Sequence, residues 1–209
     1  MEKVTTDQLS KVAIYVEGKT DQIFVKFLLF KLYGRNLDED QVKDLIVNVE
    51  GKDKLETMLK LDLGRMRKAL IMFDADYANN GGKRVNFQKY KDLLLKYRMQ
   101  GEIFLFTKID SEEGELEHTI ISCFKKNLHF FDLCWENMLK CFLQKSNNAE
   151  LNLPNLQSKV YSYNDLFNKK NSKLKYPDYS DTELWDFDFE NNWYLSNIKH
   201  FLDRNLMSS

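Results

Sequence analysis

The chain has 209 residues, of which 43% are hydrophobic and 30% are charged, and its formal net charge is -1 at pH 7. This length and apolar content suffice to bury a full core, and the small net charge excludes an overall electrostatic attraction to nucleic acid or to anionic membranes. No segment approaches the ~18 apolar residues of a membrane span and the first residues lack a signal-peptide core, so we expect a cytoplasmic protein without a membrane partner.

Short apolar runs alternate with helical periodicity from Val12 to Phe124, which is the pattern of βαβ units around a parallel sheet. The expected strands are Val12–Val16, Leu45–Val49, Ala69–Phe73 and Ile103–Phe106. Apolar residues at helical spacing predict three intervening helices, with Gly34 ending the first and Gly64 the second. The third helix, from Phe87 to Tyr97, is expected after a turn or mobile loop that contains Asn79 to Gly82.

The alternation stops after Lys126. Apolar residues from Phe130 to Leu143 predict one more helix, and the Asn- and Lys-rich segment 146–175 predicts loops with short helical pieces. A terminal helix around Trp193–Leu202 is expected to pack back on the domain. We therefore predict an α/β core over residues 1–127, with a mainly parallel four-stranded sheet flanked by helices. Residues 128–209 are predicted to form a helical and loop-rich extension packed on this core.

Acidic residues follow three of the predicted strands. Glu17 follows the first strand directly, Asp74 and Asp76 end the third, and Glu117 follows the fourth after a short loop. The carboxyl ends of strands in an open parallel sheet converge on one crevice, so these carboxylates can share a site. Such a site suits a hard divalent cation and a phosphate that the cation holds.

Each of these acids also has a structural interpretation. Glu17 could pair with Lys19, and a lone Asp-x-Asp such as Asp74 and Asp76 is common in turns and helix caps. However, a carboxylate at the mouth of a buried strand is costly unless it is paired, hydrogen-bonded or bound to metal. Asp74 and Asp76 are two residues apart, so in an extended segment they point to the same side.

Helix geometry separates the two acids of the third cluster. Glu117 falls within the apolar stripe of a predicted helix, and Glu115 lies almost opposite that stripe. The stripe consists of Leu116, Ile120, Ile121 and Phe124. We therefore expect Glu117 to point inward and Glu115 to be a solvated acid in the first turn, although the helix dipole would also explain an acid at position 117.

Lysines accompany two of the predicted strand-to-helix turns. Val16-Glu17-Gly18-Lys19 is echoed by Val49-Glu50-Gly51-Lys52, and a lysine near a helix N-terminus favours an anion. Two turns of the same kind would also produce this echo. Lys83 and Arg84, in the glycine-rich loop, could meet a nucleic-acid backbone, but they fit solvated surface residues as well.

At Glu17-Gly18 and Asp74-x-Asp76 the chain resembles the toprim domain, which topoisomerases, bacterial primases, ribosomal-RNA maturases and overcoming-lysogenization-defect nucleases share. The string from Val16 to Asp21 is similar to the V-E-G-K-x-D string of the maturase and nuclease branches. The segments from Gly51 to Leu55 and from Gly114 to Glu117 resemble a small toprim-related family of about this length. One departure is Tyr77, which begins a Tyr-Ala-Asn string where many toprim domains place a glycine soon after the Asp pair.

The resemblance implies a toprim-like (Rossmann-like) fold and a centre for Mg²⁺ or Mn²⁺. Glu17 would be an acid/base or a ligand, Asp74 and Asp76 would be ligands, and Glu117 would be an extra ligand as in the overcoming-lysogenization-defect nucleases. Lys19, a further catalytic candidate, would neutralise phosphate charge together with Lys52, and Lys83 and Arg84 would contact the nucleic acid.

These residues together predict a metal-dependent nuclease that hydrolyses phosphodiester bonds in DNA or RNA, for defence or nucleic-acid processing. The first alternative is a regulatory module that binds metal, nucleotide or phosphate without cleavage, together with a partner such as an ATPase. The second is a decayed site whose carboxylates only cap helices. An oligomer is compatible with each reading. A free-standing topoisomerase or primase is not expected, because no tyrosine nucleophile stands out and the chain is short.

Overall fold

A computed structural model of the chain describes residues 5–35, 37–125, 130–145, 152–168 and 175–207. Four strands form one parallel sheet in the order β2-β1-β3-β4. The strands are β1 Val12–Val16, β2 Ile46–Asn48, β3 Lys68–Asp74 and β4 Gly101–Phe106. The predicted α/β fold with a parallel four-stranded sheet is therefore confirmed.

The described residues also contain nine α-helices. They are α1 Thr6–Ser10, α2 Lys19–Tyr33, α3 Glu39–Leu45, α4 Leu55–Asp62, α5 Gly82–Lys96, α6 Leu116–Ser122, α7 Phe130–Lys145, α8 Leu156–Phe167 and α9 Trp193–Leu206. Gly34 ends α2 as predicted: its N–H bonds the carbonyl of Phe30, and its left-handed backbone (φ 65°) turns the next N–H, of Arg35, to the carbonyl of Leu29. The short helices α1 and α3 were not predicted from the periodicity, and each begins with a capping box, at Thr5 and Asp38.

Two helix boundaries differ from the prediction. The segment after α4 continues as a 3-10 turn, Leu63–Arg65, and the left-handed residue that ends it is Met66 (φ 53°), not Gly64. Helix α5 begins at Gly82, after a 3-10 turn over Ala78–Asn80. Lys83 and Arg84 therefore lie in the first turn of a helix and not in a loop.

The core lies on the inner strands of the sheet. Every residue of β1 is buried, and alternate residues of β1 and β3 face α4 and α5. This cluster contains Tyr15, Leu55, Leu59, Ile71, Phe73, Tyr90 and Leu94. Helix α9 packs against β4 through Phe104 and Phe201, whose ring centroids are 5.3 Å apart.

The chain divides into two compact units, Met1–Leu116 with Phe189–Ser209, and Glu117–Asp188. The second unit is built on aromatic packing: the rings of Phe124 and Tyr163 stack with centroids 3.7 Å apart, and Phe124 forms a β-bridge with Trp185. The predicted boundary between residues 127 and 128 lies outside the described residues, as does the segment 146–175 apart from 152–168 and Lys175. Among the helices that the structure describes, none has both the length and the apolar character to span a membrane.

Candidate metal centre

Glu17 and Asp74 meet at the carboxyl edge of the sheet. Strands β1 and β3 are adjacent, and Val16 pairs with Met72, so Glu17 emerges beside the last residues of β3. The backbone N–H of Asp74 donates to Oε1 of Glu17 at 3.0 Å. The sequence prediction that these two strand ends share a site is consistent with this bond, which fixes the Glu17 carboxylate without any side chain of Asp74.

Asp76 lies two residues beyond Asp74 and is held from two sides. Its backbone is left-handed (φ 63°) and forms an antiparallel bridge with Gly114, with both N–H···O distances close to 3 Å (3.0 and 3.1 Å). The buried amide of Asn86 on α5 donates to Asp76 Oδ2 at 3.0 Å and to the carbonyl of Ala75 at 3.0 Å. The turn that follows β3 is thus made by Asp76 itself, which explains how the chain manages without an early glycine there.

The carboxylate of Asp74 has a structural role as well. Its Oδ1 accepts a hydrogen bond of 2.7 Å from the backbone N–H of Leu116, the first residue of α6. The N–H groups of a first helical turn lack partners within the helix, so a carboxylate there stabilises the helix start. Asp74 therefore orients one oxygen towards a fixed partner, as the helix-cap alternative also predicts.

Lys52 occupies the centre of the cluster. Its Nζ lies 2.5 Å from Asp76 Oδ2, 3.0 Å from Glu17 Oε1 and 3.3 Å from the carbonyl oxygen of Asp74. Burial acts to lower the pKa of this ammonium, but the hydrogen bond with Asp76 and the charge of Glu17 outweigh burial and raise the pKa above its ordinary value. The ammonium is therefore charged and is the counter-ion of these carboxylates.

The turn after β2 explains why Lys52 reaches this position. Glu50 (φ 54°) and Gly51 (φ 109°) reverse the chain, and the N–H of Gly51 donates to the carbonyl of Glu17 at 3.1 Å. This bond ties the second Val-Glu-Gly-Lys string to the first. The two charged residues of the second string have different surroundings. Glu50 is exposed and pairs with Lys54 at 3.0 Å, whereas Lys52 contacts the carboxylates of Glu17 and Asp76.

Burial has the largest effect on the pKa of Glu17. It raises the pKa of Glu17 above its ordinary value, the nearby Lys52 acts in the opposite direction, and the charge of Asp76 adds to the increase. The hydroxyl of Tyr90 is also buried near these charges, and it has no hydrogen-bond partner among the described atoms. Burial, followed by the charge of Glu17, raises the pKa of Tyr90.

The third acidic cluster differs from the prediction. Helix α6 begins at Leu116, so Glu115 precedes the helix and is not a solvated acid of its first turn. Glu115 is half-buried, and burial together with the charge of Asp76 raises its pKa. The charge of Asp76 therefore acts on Glu115, and the prediction that Glu115 is a solvated residue is wrong. Glu117 is the first residue of the second compact unit and is half-buried in the first turn of α6.

The remaining basic candidates lie on the surface. Lys19 is exposed in the first turn of α2, where its Nζ donates to Gln22 Oε1 at 2.7 Å. Lys83 and Arg84 are exposed on α5, and Lys83 Nζ lies 3.8 Å from Glu112 Oε1. In the described part of the chain, Lys52 is the only one of the four predicted phosphate-binding residues that contacts Glu17 and Asp76.

The donor atoms fit a hard divalent cation in their chemistry. Carboxylate oxygens are the ligands that Mg²⁺ and Mn²⁺ prefer, and a positive charge already sits between Glu17 and Asp76. In the residues that can be described, however, no three carboxylate, imidazole or thiolate side chains are grouped as a metal site. A cation could be held by Glu17, Asp74 and Asp76 once the ammonium of Lys52 is no longer between them.

Residues 9–76 match the family model of the overcoming lysogenization defect protein-like TOPRIM domain. The matched segment runs from α1 to the turn after β3 and includes Glu17, Lys52, Asp74 and Asp76. No curated protein matches the chain, and no solved structure does. A TOPRIM domain indicates a metal-dependent role in nucleic-acid processing. Over residues 9–76 the chain is therefore similar to a TOPRIM domain of the overcoming lysogenization defect protein-like type.

Proposed function

We propose that the chain hydrolyses phosphodiester bonds of nucleic acid with the help of Mg²⁺ or Mn²⁺ bound by Glu17, Asp74 and Asp76. The observation that carries this proposal is the convergence of these acids on one edge of the sheet, where Lys52 contacts Glu17 and Asp76. A divalent cation bound there would polarise a phosphoryl oxygen and lower the pKa of water.

The residues of the chain supply a rigid frame for that chemistry. The Asp74 N–H fixes Glu17, the Leu116 N–H fixes Asp74, and Asn86 fixes Asp76. Glu17 has a raised pKa, so its carboxyl group can take up or give back a proton closer to neutral pH than an ordinary glutamate. Glu17 is thus suited to acid/base work as well as to ligation.

A basic depression lined by α2, the helix that follows Glu17, and by α3 supports nucleic acid as the substrate. It has a volume of about 230 Å³ and is lined by Lys19, Gln22, Ile23, Lys26, Glu39, Val42 and Lys43. Its three lysines outnumber its single acid, and one of them, Lys43, lies 3.8 Å from Asp40 outside the lining. Phosphate groups of a nucleic-acid backbone favour such lysines, which act without base specificity.

Two observations favour the non-cleaving module as the second candidate. Lys52 fills the space between Glu17 and Asp76, and Asp74 caps a helix. In this alternative the same pocket would bind a nucleotide or a phosphorylated partner, and an ATPase or another protein would supply the activity. Turnover by the isolated chain separates the two functions.

The experiment that tests the proposal measures the release of fragments from plasmid, single-stranded DNA and structured RNA with Mg²⁺ or Mn²⁺. Wild type is compared with Glu17→Gln and Asp74→Asn, which remove one charge each and keep the side-chain shape. We expect metal-dependent cleavage by wild type and loss of at least about 100-fold in both variants, as for removal of a group that acts in the transition state.

Glu50→Gln is the matched control. Glu50 occupies the position of Glu17 in the second Val-Glu-Gly-Lys string, but it is exposed and pairs only with Lys54 among the ion pairs of the described residues. This variant should cleave like wild type. Cleavage that persists in Glu17→Gln and Asp74→Asn, or that does not need metal, would contradict the proposal.

A further inference from the structure

Lys52 and a metal ion cannot occupy the same place in this site. The ammonium lies 2.5 Å from Asp76 and 3.0 Å from Glu17, which are contact distances for an ion pair. A divalent cation bound to the same two oxygens would stand within a few ångströms of the ammonium, and two positive charges at that separation repel strongly in a partly buried site.

We propose that Lys52 is a tethered cation that exchanges with the divalent metal. In the metal-free protein its ammonium neutralises Glu17 and Asp76, and metal binding moves it out of the cluster. This inference rests on the proposed metal site and adds to it a residue that controls when the site is loaded. Lys52 is thus a positioning residue that keeps the carboxylates together until the metal arrives.

The surroundings of Lys52 allow this movement. The residue begins the 3-10 turn Lys52–Lys54, and a lysine head is a compact charge on four flexible carbons. Beside it lies a depression of about 550 Å³, whose charged lining consists of Lys52, the acids Asp53, Glu56 and Asp92, and the lysines Lys89 and Lys96. The depression offers a displaced ammonium space and carboxylates to approach while its stem remains anchored.

The exchange can be tested on the wild-type protein by the reactivity of its lysines. Acetylation under single-hit conditions is quantified by mass spectrometry in EDTA and in saturating Mg²⁺, and Mg²⁺ binding is measured in parallel by calorimetry. Acetylation of Lys52 should rise severalfold with Mg²⁺, because the amine leaves its ion pairs. Acetylation of Lys54, which lies in the same turn and pairs with exposed Glu50, is the internal control and should not change.

A variant gives a second measurement. Lys52→Met removes the competing charge and retains the stem, so Mg²⁺ should bind about tenfold more tightly if the wild type is open in about one molecule in ten. The same variant should be less stable in EDTA than wild type and should gain more from Mg²⁺, because its carboxylates then lack a counter-ion. Lys54→Met is the matched control and should bind Mg²⁺ like wild type.

The outcomes separate the two proposals. Mg²⁺ binding with unchanged reactivity of Lys52, or with equal or weaker affinity in Lys52→Met, would overturn the exchange and leave the metal site intact. Binding only in Lys52→Met would show that Lys52 excludes the metal and does not exchange with it, and would also overturn the exchange. Absence of binding in both proteins would refute the metal site itself and the exchange with it.

Discussion

The backbone N–H of Asp74 donates to Oε1 of Glu17 at 3.0 Å, and this bond joins the ends of two neighbouring parallel strands. One proposed ligand is therefore oriented by the main chain of another. Because β1 and β3 are paired in register up to Val16 and Met72, the spacing of Glu17 and Asp74 is set by the sheet. The cluster is thus a preformed feature of the fold, and its other contacts can be tested one at a time.

Replacement of Glu17 by Gln should change how stability depends on pH. Burial raises the folded-state pKa of Glu17 above the unfolded value of about 4.3. The folded state then holds this proton more tightly, so the stabilisation by protonated Glu17 is full below pH ~4 and is lost as the pH rises through the folded-state pKa. In EDTA, the free energy of unfolding of wild type minus that of Glu17→Gln should therefore decrease between pH 4 and 7. Urea denaturation measures this difference, and an increase over the same range would contradict the burial of Glu17.

Loss of the Asn86 amide should destabilise the turn that carries Asp76. Asn86→Ala leaves the carbonyl of Ala75 and one oxygen of Asp76 without this donor, at a cost of about 1–3 kcal/mol in the free energy of unfolding. Gln88→Ala, on an exposed face of α5 with a single bond to Asp92, should change stability by less than about 0.5 kcal/mol. Equal effects of the two substitutions in urea denaturation would show that Asn86 does not support the turn.

A methyl group at Gly114 should disturb the partner of Asp76. A Cβ there would lie 2.5 Å from the backbone nitrogen of Lys108 and 2.6 Å from backbone atoms of Thr107, so the segment must shift. Gly114→Ala should therefore cost about 1–3 kcal/mol. Gly64→Ala is the control, because nothing lies within 4 Å of its added Cβ. Thermal unfolding of the two variants compares these effects, and a neutral Gly114→Ala would contradict the tight packing.

The basic depression should contribute to the salt dependence of nucleic-acid binding. If Lys19, Lys26 and Lys43 each neutralise one phosphate, their replacement by Gln should reduce the slope of log K against log salt by about 2–3 on DNA. Binding is measured with an Asp74→Asn background, so that cleavage does not interfere. Lys11→Gln, which removes a lysine paired with Asp7, should leave the slope unchanged. An unchanged slope in the triple variant would show that these three lysines do not contact the phosphates of the nucleic acid.

Much of the fold could be predicted because buried strands have a direct sequence signature. Val12–Val16 is apolar throughout and is buried on both faces of the sheet, so its end and the acid that follows were both evident. The pair Asp74 and Asp76 could be predicted in the same way, because it follows the buried apolar residues of β3. By contrast, α1 and α3 are too short for periodicity to detect, and their capping boxes are the signal that would have found them.

The interior of the site was harder to predict because it depends on two turns. The position of Lys52 follows from the reversed backbone at Glu50 and Gly51, which a strand-helix pattern does not reveal. The prediction for Glu115 is wrong because a helical wheel applies only within the helix, and Glu115 lies before its first residue. The helix begins at Leu116, whose N–H is bonded to Asp74, and Glu115 is left in the segment beside Asp76.

Binding of Mn²⁺ decides whether the metal centre exists, and the electron paramagnetic resonance signal of free Mn²⁺ reports this binding as protein is added. Wild type should remove free Mn²⁺ from solution, and the double variant Glu17→Gln with Asp74→Asn should lose this binding by at least about 100-fold in affinity, as for removal of two charged ligands. Glu50→Gln should bind like wild type. Retention of Mn²⁺ binding in the double variant, or its absence in wild type and in Lys52→Met, would contradict a metal centre at the carboxyl edge of this sheet.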